Sequence, residues 1–454
     1  MDIRKDIADR FERRTARSKE LNARARRSLP GGDTRWATFY LPYPAYMVEG
    51  SGCRMHDADG NEYIDFLNNY TSLVHGHRHP AILAAARHAM EEDFIYGAPT
   101  ESQLVLADMI TARMPGVKRL RYTNSGTEAT MMAMRAARLY SGKEIIIKID
   151  GCYHGSHDFA EVNITPDLGT AALPLAKTEA KGIPECILEA MKVARLNDLD
   201  SVETLLKRHA GKVAGIITEP VLNQGGIIPA KVEFLRGLRE LADSHGVLLI
   251  FDEVVTFRTS TGGMQKLLGI EPDLTALGKI IGGGFPIGAF GGREDVMAVF
   301  DPAGASGYHH SGTFNGHNVT MHAGAVALEL LDAAAIARID SLGERLKNGI
   351  DAAFKSAGLA GLVTRLGSLL YVHWTNSVVQ APRDVVLWKQ QAADLPRLFH
   401  LDLLTRGVFA ANRGLFNIST PMTERDIDFT VNAIGQTLDL LKPLVAEKAP
   451  HLIR

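Results

Sequence analysis

The chain has 454 residues, 46% of them hydrophobic and 22% charged, and a formal net charge of -2 at pH 7. That balance offers neither a basic stripe for nucleic acid nor an acidic tail, which points to a small-molecule substrate. Three cysteines (Cys53, Cys152, Cys186) cannot form a disulfide framework and fit a reducing compartment; with no run of bilayer-crossing length, the expected location is cytoplasmic.

The N-terminal run "MDIRKDIADRFERRTARSKELNARARRSLPGG" is arginine-rich, but Asp2, Asp6, Asp9, Glu12 and Glu20 argue against a transit peptide. It predicts a solvated or subunit-packing helix stopped by Pro30-Gly31-Gly32. From about residue 46 to 66, short β-like pieces around an Asp-Gly-Asn turn predict a small meander. From about residue 80, helical spacing in "AILAAARHAMEE", "QLVLADMITARM", "EATMMAMRAARLY" and "EFLRGLRELADSHG" alternates with the apolar runs "EIIIKI", "VAGIITE" and "GVLLIFDE". Strands without polar alternation are buried on both faces, so the fold class is α/β with a mostly parallel sheet covered by helices. The alternation ends near residue 330. The expected division is 1–75 (helix and meander, part of a small domain and a dimer contact), 76–330 (large domain) and 331–454 (the rest of a smaller α/β domain).

Several short segments carry chemistry. Ser125-Gly126-Thr127 opens a helix after the β-like "RLRY"; helix-start N–H groups, hydroxyls and a close-approaching glycine make a phosphate cup, or the hydroxyls simply cap the helix. Asp252 ends a buried strand, where open α/β sheets collect ligands; its partner is either the cationic ring nitrogen of a cofactor or an arginine such as Arg258. In "DGCYHGSHD", Tyr153 either stacks on a planar ring or, with His154, belongs to an ordinary loop. Lys279, in "LGKIIGGGFPIGAFGG", lies between an apolar run and three glycines, where a desolvated amine becomes a nucleophile. Together these describe a site for pyridoxal 5'-phosphate. The lysine forms the imine, the aspartate keeps the ring nitrogen protonated, the cup holds the phosphate and Tyr153 covers a ring face.

"NSGTEA", "GCYHGSHD", "TEPV", "FDEVVTFR", "LGKIIGGGFPIGAFGG" and "SGTFNGHNVTMHAGAVAL" resemble class III (subgroup II) aminotransferases of fold type I, over about residues 28 to 440. The resemblance is closest to the glutamate-1-semialdehyde aminomutase branch. It implies that Lys279 is the Schiff-base lysine and Asp252 the pyridinium partner. Ser125, Gly126 and Thr127 would hold the phosphate, Tyr153 would stack on the ring, and Thr313 would reach the phosphate of a neighbouring subunit in a homodimer.

For the substrate, "TRWATFY" and "NRGLFNIST" are most similar to the β-phenylalanine (3-amino-acid) aminotransferases, which implies carboxylate-binding roles for Arg35 and Arg413. The alternative for each arginine is a surface or subunit salt bridge. The expected reaction moves an amino group from a 3-amino acid to an oxo acid such as 2-oxoglutarate or pyruvate. Trp36, Phe39, Tyr40 and Tyr43 offer an apolar wall for an aromatic substituent, or core. The alternatives are glutamate-1-semialdehyde 2,1-aminomutase, a D-phenylglycine-type aminotransferase and a racemase on the same scaffold. The aminomutases of this branch carry an acidic residue in the loop corresponding to "ANRGLFNIS" and place their N-terminal arginine a few residues later than Arg35; neither feature is present. Gln224, beside Asn223, stands where some class III enzymes carry a substrate-facing glutamate, which weighs against an ω-amino substrate. "HGHRHP" (His75, His77, His79), with His309, His310, His317 and His322, raises a metal site, but no cysteine or acid pair completes a ligand set, so none is expected.

Overall fold

The continuous apolar runs form the centre of a seven-stranded sheet. The structure, a computed structural model, describes residues 2–304, 307–392 and 394–454, and the chain divides into two compact units. Unit 2, Pro80–Ile336 with Gln380–Val386, holds this sheet. Its strand order is Arg119–Thr123, Gly288–Gly292, Leu274–Gly278, Leu248–Asp252, Val213–Thr218, Ile145–Ile149, Met191–Ala194. The pairings are parallel except those of Gly288–Gly292, which runs antiparallel to both neighbours.

Helix Gly126–Ser141 lays Ala133, Ala136 and Ala137 over this sheet; these small side chains share a core with Ile146, Ile217, Ile250 and Phe290. Such a sheet buries its strands on both faces, so a polar residue inside one must find partners. Lys148, fully buried in the strand "IIIKI", donates from Nζ to the carbonyls of Ala160, at 2.8 Å, and Val162. Burial pushes its pKa down to about 8. The short C-terminal segment in this unit packs Pro382 beside Gly151, and Arg383 donates to the Leu168 carbonyl at 3.2 Å.

Unit 1 comprises Met1–His79, Ala337–Val379 and Leu387–Arg454. The meander Met47–Ser51, Arg54–Asp57, Glu62–Asp65 is completed by Val408–Phe409, which pairs parallel to its third strand. A second, antiparallel sheet joins Leu362–Leu366, Leu369–His373 and Leu415–Asn417. The N-terminal segment is two helices, Ile3–Arg14 and Ala16–Ala25, broken at Thr15, whose φ of -131° is not helical. One face of the first helix packs into this unit's core, and the rest stays partly or fully exposed. Phe11 is 1% exposed and packs on Tyr40 and Tyr43, and Arg10 pairs with the buried Asp402 at 2.8 Å. Tyr40 and Tyr43 are thereby committed to packing rather than to an open apolar wall, whereas Trp36 is 94% exposed.

Two buried imidazoles set a pH dependence. His400 lies 4.8 Å from the Tyr40 ring, and burial lowers its pKa to about 3. Burial likewise takes His157, in unit 2, down to about 4. Both are neutral in the fold, while an unfolded chain's histidines titrate near ~6.5. Stability is therefore complete above that pH and declines as pH falls toward 4, by about 1.4 kcal/mol per pH unit for each such group. The thermal midpoint is expected to drop between pH 7 and pH 4.5, and His400→Leu to lessen the drop; an unchanged slope in that variant would remove His400 as a cause.

Candidate active site

Three adjacent strands of the unit 2 sheet end at one edge and deliver three charged side chains. The register pairs Phe251 with Thr218 and Asp252 with Ala276. Glu219 therefore follows its strand beside Asp252, and Lys279 comes just after the strand on the other side. Asp252 and Glu219 are each 5% exposed, and Lys279 is half-buried. Asp252 accepts from the Val254 N–H at 3.0 Å, and its other oxygen lies 2.8 Å from His154 Nδ1. Glu219 accepts from the N–H groups of Tyr153, at 2.8 Å, and Asn223, at 3.3 Å. Burial first, and the Asp252 carboxylate next, push the Glu219 pKa up; Lys279 pulls it back.

Burial also holds His154 below the usual imidazole value, with Asp252 opposing. A neutral ring in this position donates Nδ1–H to Asp252 and leaves Nε2 as an acceptor. That Nε2 is buried with no hydrogen-bond partner among the described residues. Lys279 has φ +51°, a left-handed conformation costing a non-glycine residue about 1–2 kcal/mol. Such strain persists where the surroundings over-determine it, often at functional sites.

Close backbone approach ties the motifs together. A Cβ on Gly126 would come within 2.9 Å of Val254, and one on Gly155 within 2.5 Å of Thr127 Oγ1. Ser125 caps the helix, its Oγ accepting from the Glu128 N–H at 3.1 Å, so the cap reading is correct as far as it goes. The Ser125 hydroxyl hydrogen remains to be donated, and the N–H groups of Gly126 and Thr127 open the helix without intrahelical acceptors. Thr127 Oγ1 accepts from the Ser156 N–H at 3.3 Å. Asp252, met by a main-chain N–H and a neutral imidazole, is a carboxylate that a protonated ring nitrogen suits, and the helix start suits a phosphate. The unsatisfied His154 nitrogen behind Asp252 also marks a polar site. These residues fit pyridoxal 5'-phosphate.

The aminotransferase class-III family model matches residues 37–418. The chain belongs to the class-III aminotransferase family. A glutamate-1-semialdehyde 2,1-aminomutase of Methanopyrus kandleri is 38% identical over 435 residues, 95% of this chain and 99% of that protein. Among solved structures, an omega-transaminase from Sphaerobacter thermophilus is 42% identical with TM-score 0.90, covering 93% of this chain and 97% of that one. A β-phenylalanine aminotransferase from Variovorax paradoxus is 34% identical with TM-score 0.86, covering 100% and 99%. This class-III aminotransferase is a pyridoxal 5'-phosphate enzyme with the fold type I architecture.

The remaining expected residues lie elsewhere. Thr313 is exposed; its loop is tied to the residue before Ser125 by Asn124 donating to Asn315 at 3.0 Å. In unit 1, Arg35 and Arg413 lie 6.0 Å and 5.7 Å from the ring centre of one residue, Tyr70. Arg413 makes no ion pair among the described residues, and its Nε is buried without an acceptor. In the histidine motif, His77 lies 2.8 Å from Asp65 and His75 3.2 Å from Thr420 Oγ1. No three metal-ligating side chains gather among the described residues.

Sequence reasoning left His154 in a loop and gave Glu219 no role, although "TEPV" was part of the resemblance. The available signal was position, since Glu219, like Asp252, immediately follows a continuous apolar strand. Purified holoenzyme is expected to be yellow, and borohydride followed by digestion should place the cofactor's mass on the Lys279 peptide. The label appearing on another lysine, or a Lys279→Ala protein still turning over, would overturn that assignment.

Proposed function

We propose that this enzyme transfers an amino group from a 3-amino acid to an oxo acid such as 2-oxoglutarate, in a ping-pong cycle at Lys279. The observation that carries the substrate reading is the Arg413 guanidinium. A buried donor without an acceptor is costly, and a carboxylate is the ligand that satisfies an arginine's planar fork. A second arginine on the same tyrosine ring supports recognition of acids.

Bound pyridoxal phosphate supplies an aldehyde carbon and a ring that stabilises negative charge on the carbon bearing the substrate nitrogen. Ser125, Gly126 and Thr127 would hold its phosphate, and Tyr153 would cover a ring face. Asp252, oriented by His154, would keep the ring nitrogen protonated. Lys279 Nζ would hold the cofactor through its aldehyde carbon and, when free, would serve as the base and acid that moves a proton at the carbon bearing nitrogen. Arg35 and Arg413 bind the carboxylates, one for the amino donor and both available to a dicarboxylic acceptor. We also infer a homodimer in which Thr313 reaches the partner's phosphate. The exposure of Met90, Phe94, Tyr96, Leu104 and Val105 in one stretch of unit 2 supports an apolar contact surface.

The second reading is glutamate-1-semialdehyde 2,1-aminomutase. Relatives bearing that name support it more directly than they support a 3-amino acid, the Methanopyrus protein being 38% identical over nearly its whole length. Against it stands the absence of an acid in "ANRGLFNIS".

Initial rates with 3-amino-3-phenylpropanoate and with glutamate-1-semialdehyde, measured side by side, decide between them. The first is expected to be faster; the reverse order makes the enzyme an aminomutase. Arg413→Ala is expected to raise KM for 2-oxoglutarate by roughly tenfold or more while bound cofactor, measured by absorbance, stays at the wild-type level. Equal loss of cofactor would count against a substrate role.

A further inference from the structure

Four consecutive non-glycine residues, Asn68 to Thr71, have φ of 48°, 46°, 55° and 76°. One left-handed residue is uncommon and four in a row are costly, so something must hold them there. Asn69 shows what the turn achieves. Its Oδ1 accepts from Arg35 Nη1 at 2.8 Å. Its Nδ2 donates to Ser72 Oγ at 3.0 Å, and that hydroxyl donates back to the Asn69 carbonyl at 2.9 Å. This closed ring fixes which face of the amide meets the guanidinium. On the other side of Arg35, Asp33 Oδ1 accepts from the Thr34 and Arg35 N–H groups at 2.6 and 3.2 Å and fixes the backbone. The next residue of the turn, Tyr70, presents its ring to Arg35.

We propose that Asn69 is a positioning residue for carboxylate recognition, occupying Arg35 Nη1 and leaving Nε and Nη2 aimed at the substrate acid. The inference rests on the reading that Arg35 binds a carboxylate. A neutral amide suits the task, because it orients the guanidinium without cancelling its charge. An aspartate at the same place would make an ion pair and close the receptor. Asparagine also suits the backbone, being among the few side chains that tolerate this conformation.

The test measures binding of 3-phenylpropanoate, an acid without the amine, to holoenzyme by calorimetry, for wild type, Asn69→Gly, Asn69→Asp, Arg35→Ala and Asn69→Gly/Arg35→Ala. Glycine keeps the left-handed backbone and removes the acceptor. Asn69→Gly is expected to weaken binding by about 3- to 10-fold, Asn69→Asp by more. In the Arg35→Ala background Asn69→Gly should add nothing, and cofactor content should stay constant throughout. If Arg35→Ala weakens binding and Asn69→Gly does not, or if Asn69→Gly has the same effect with and without Arg35, the positioning role is wrong. If Arg35→Ala itself leaves binding unchanged, the carboxylate assignment fails and takes this inference with it. A lowered melting temperature in Asn69→Gly without weaker binding would assign the residue to folding alone.

Discussion

Holding Asp252 and Glu219 side by side, each almost wholly out of water, costs free energy that only hydrogen-bond donors and nearby positive charge can offset. The sheet creates the problem and supplies much of the answer. Parallel strands carry their C-terminal ends to one edge, so the residue following each strand lands beside its neighbour's. Main-chain N–H groups from Tyr153, Asn223 and Val254 reach the two acids, and His154 binds one of them. The Lys279 amine comes from the next strand. Glu219 responds by holding its proton more tightly, the less costly course for the second of two buried like charges. A cofactor with a protonated ring nitrogen would suit the remaining carboxylate, Asp252.

The same constraint explains the small residues around the cluster. Polar groups that must act together have to sit within hydrogen-bond distance, and side chains on the intervening backbone would hold them apart. Gly126 and Gly155 are the points where this is sharpest, with Val254 and Thr127 filling the space a Cβ would need. Replacing either glycine acts on several motifs at once, because the helix start, the Tyr153 loop and the segment after Asp252 pack as one body.

Much of this was legible in the chain. "EIIIKI", "VAGIITE" and "GVLLIFDE" read as buried parallel strands because an apolar run of five or six residues, too short for a helix, presents side chains to both faces of a sheet and needs cover on each. The edge position of Asp252 followed from where the last of those strands stops. Partnerships were not legible. His154 and Asp252 are 98 residues apart and meet only through tertiary packing. Lys148 interrupts an apolar run, and its two carbonyl acceptors are 12 and 14 residues further along. The packing face of the N-terminal helices was hard to read for a related reason. Charges dominate their composition, whereas Ile7 and Phe11, few but a turn apart, decide which face packs.

The left-handed turn at Asn68–Thr71 bears on the two functional readings through the number of acids each must bind. An aminomutase shifts nitrogen within one substrate and needs a receptor for a single carboxylate. A transaminase using a dicarboxylic acceptor must bind one acid in the first half-reaction and two in the second, with the same side chains. Arg35 and Arg413, which share the Tyr70 ring, differ in character. Arg35 is exposed and already held at one nitrogen by a neutral amide. Arg413 is partly enclosed, with a buried nitrogen unmatched. The enclosed arginine has more to gain from an anion, because its Nε is already out of water and desolvation strengthens the pairing. An exposed, pre-oriented arginine binds less tightly and releases more readily. Under the proposed transaminase reading, that asymmetry would let the site take a dicarboxylate in one half of the cycle and release a monocarboxylate in the other.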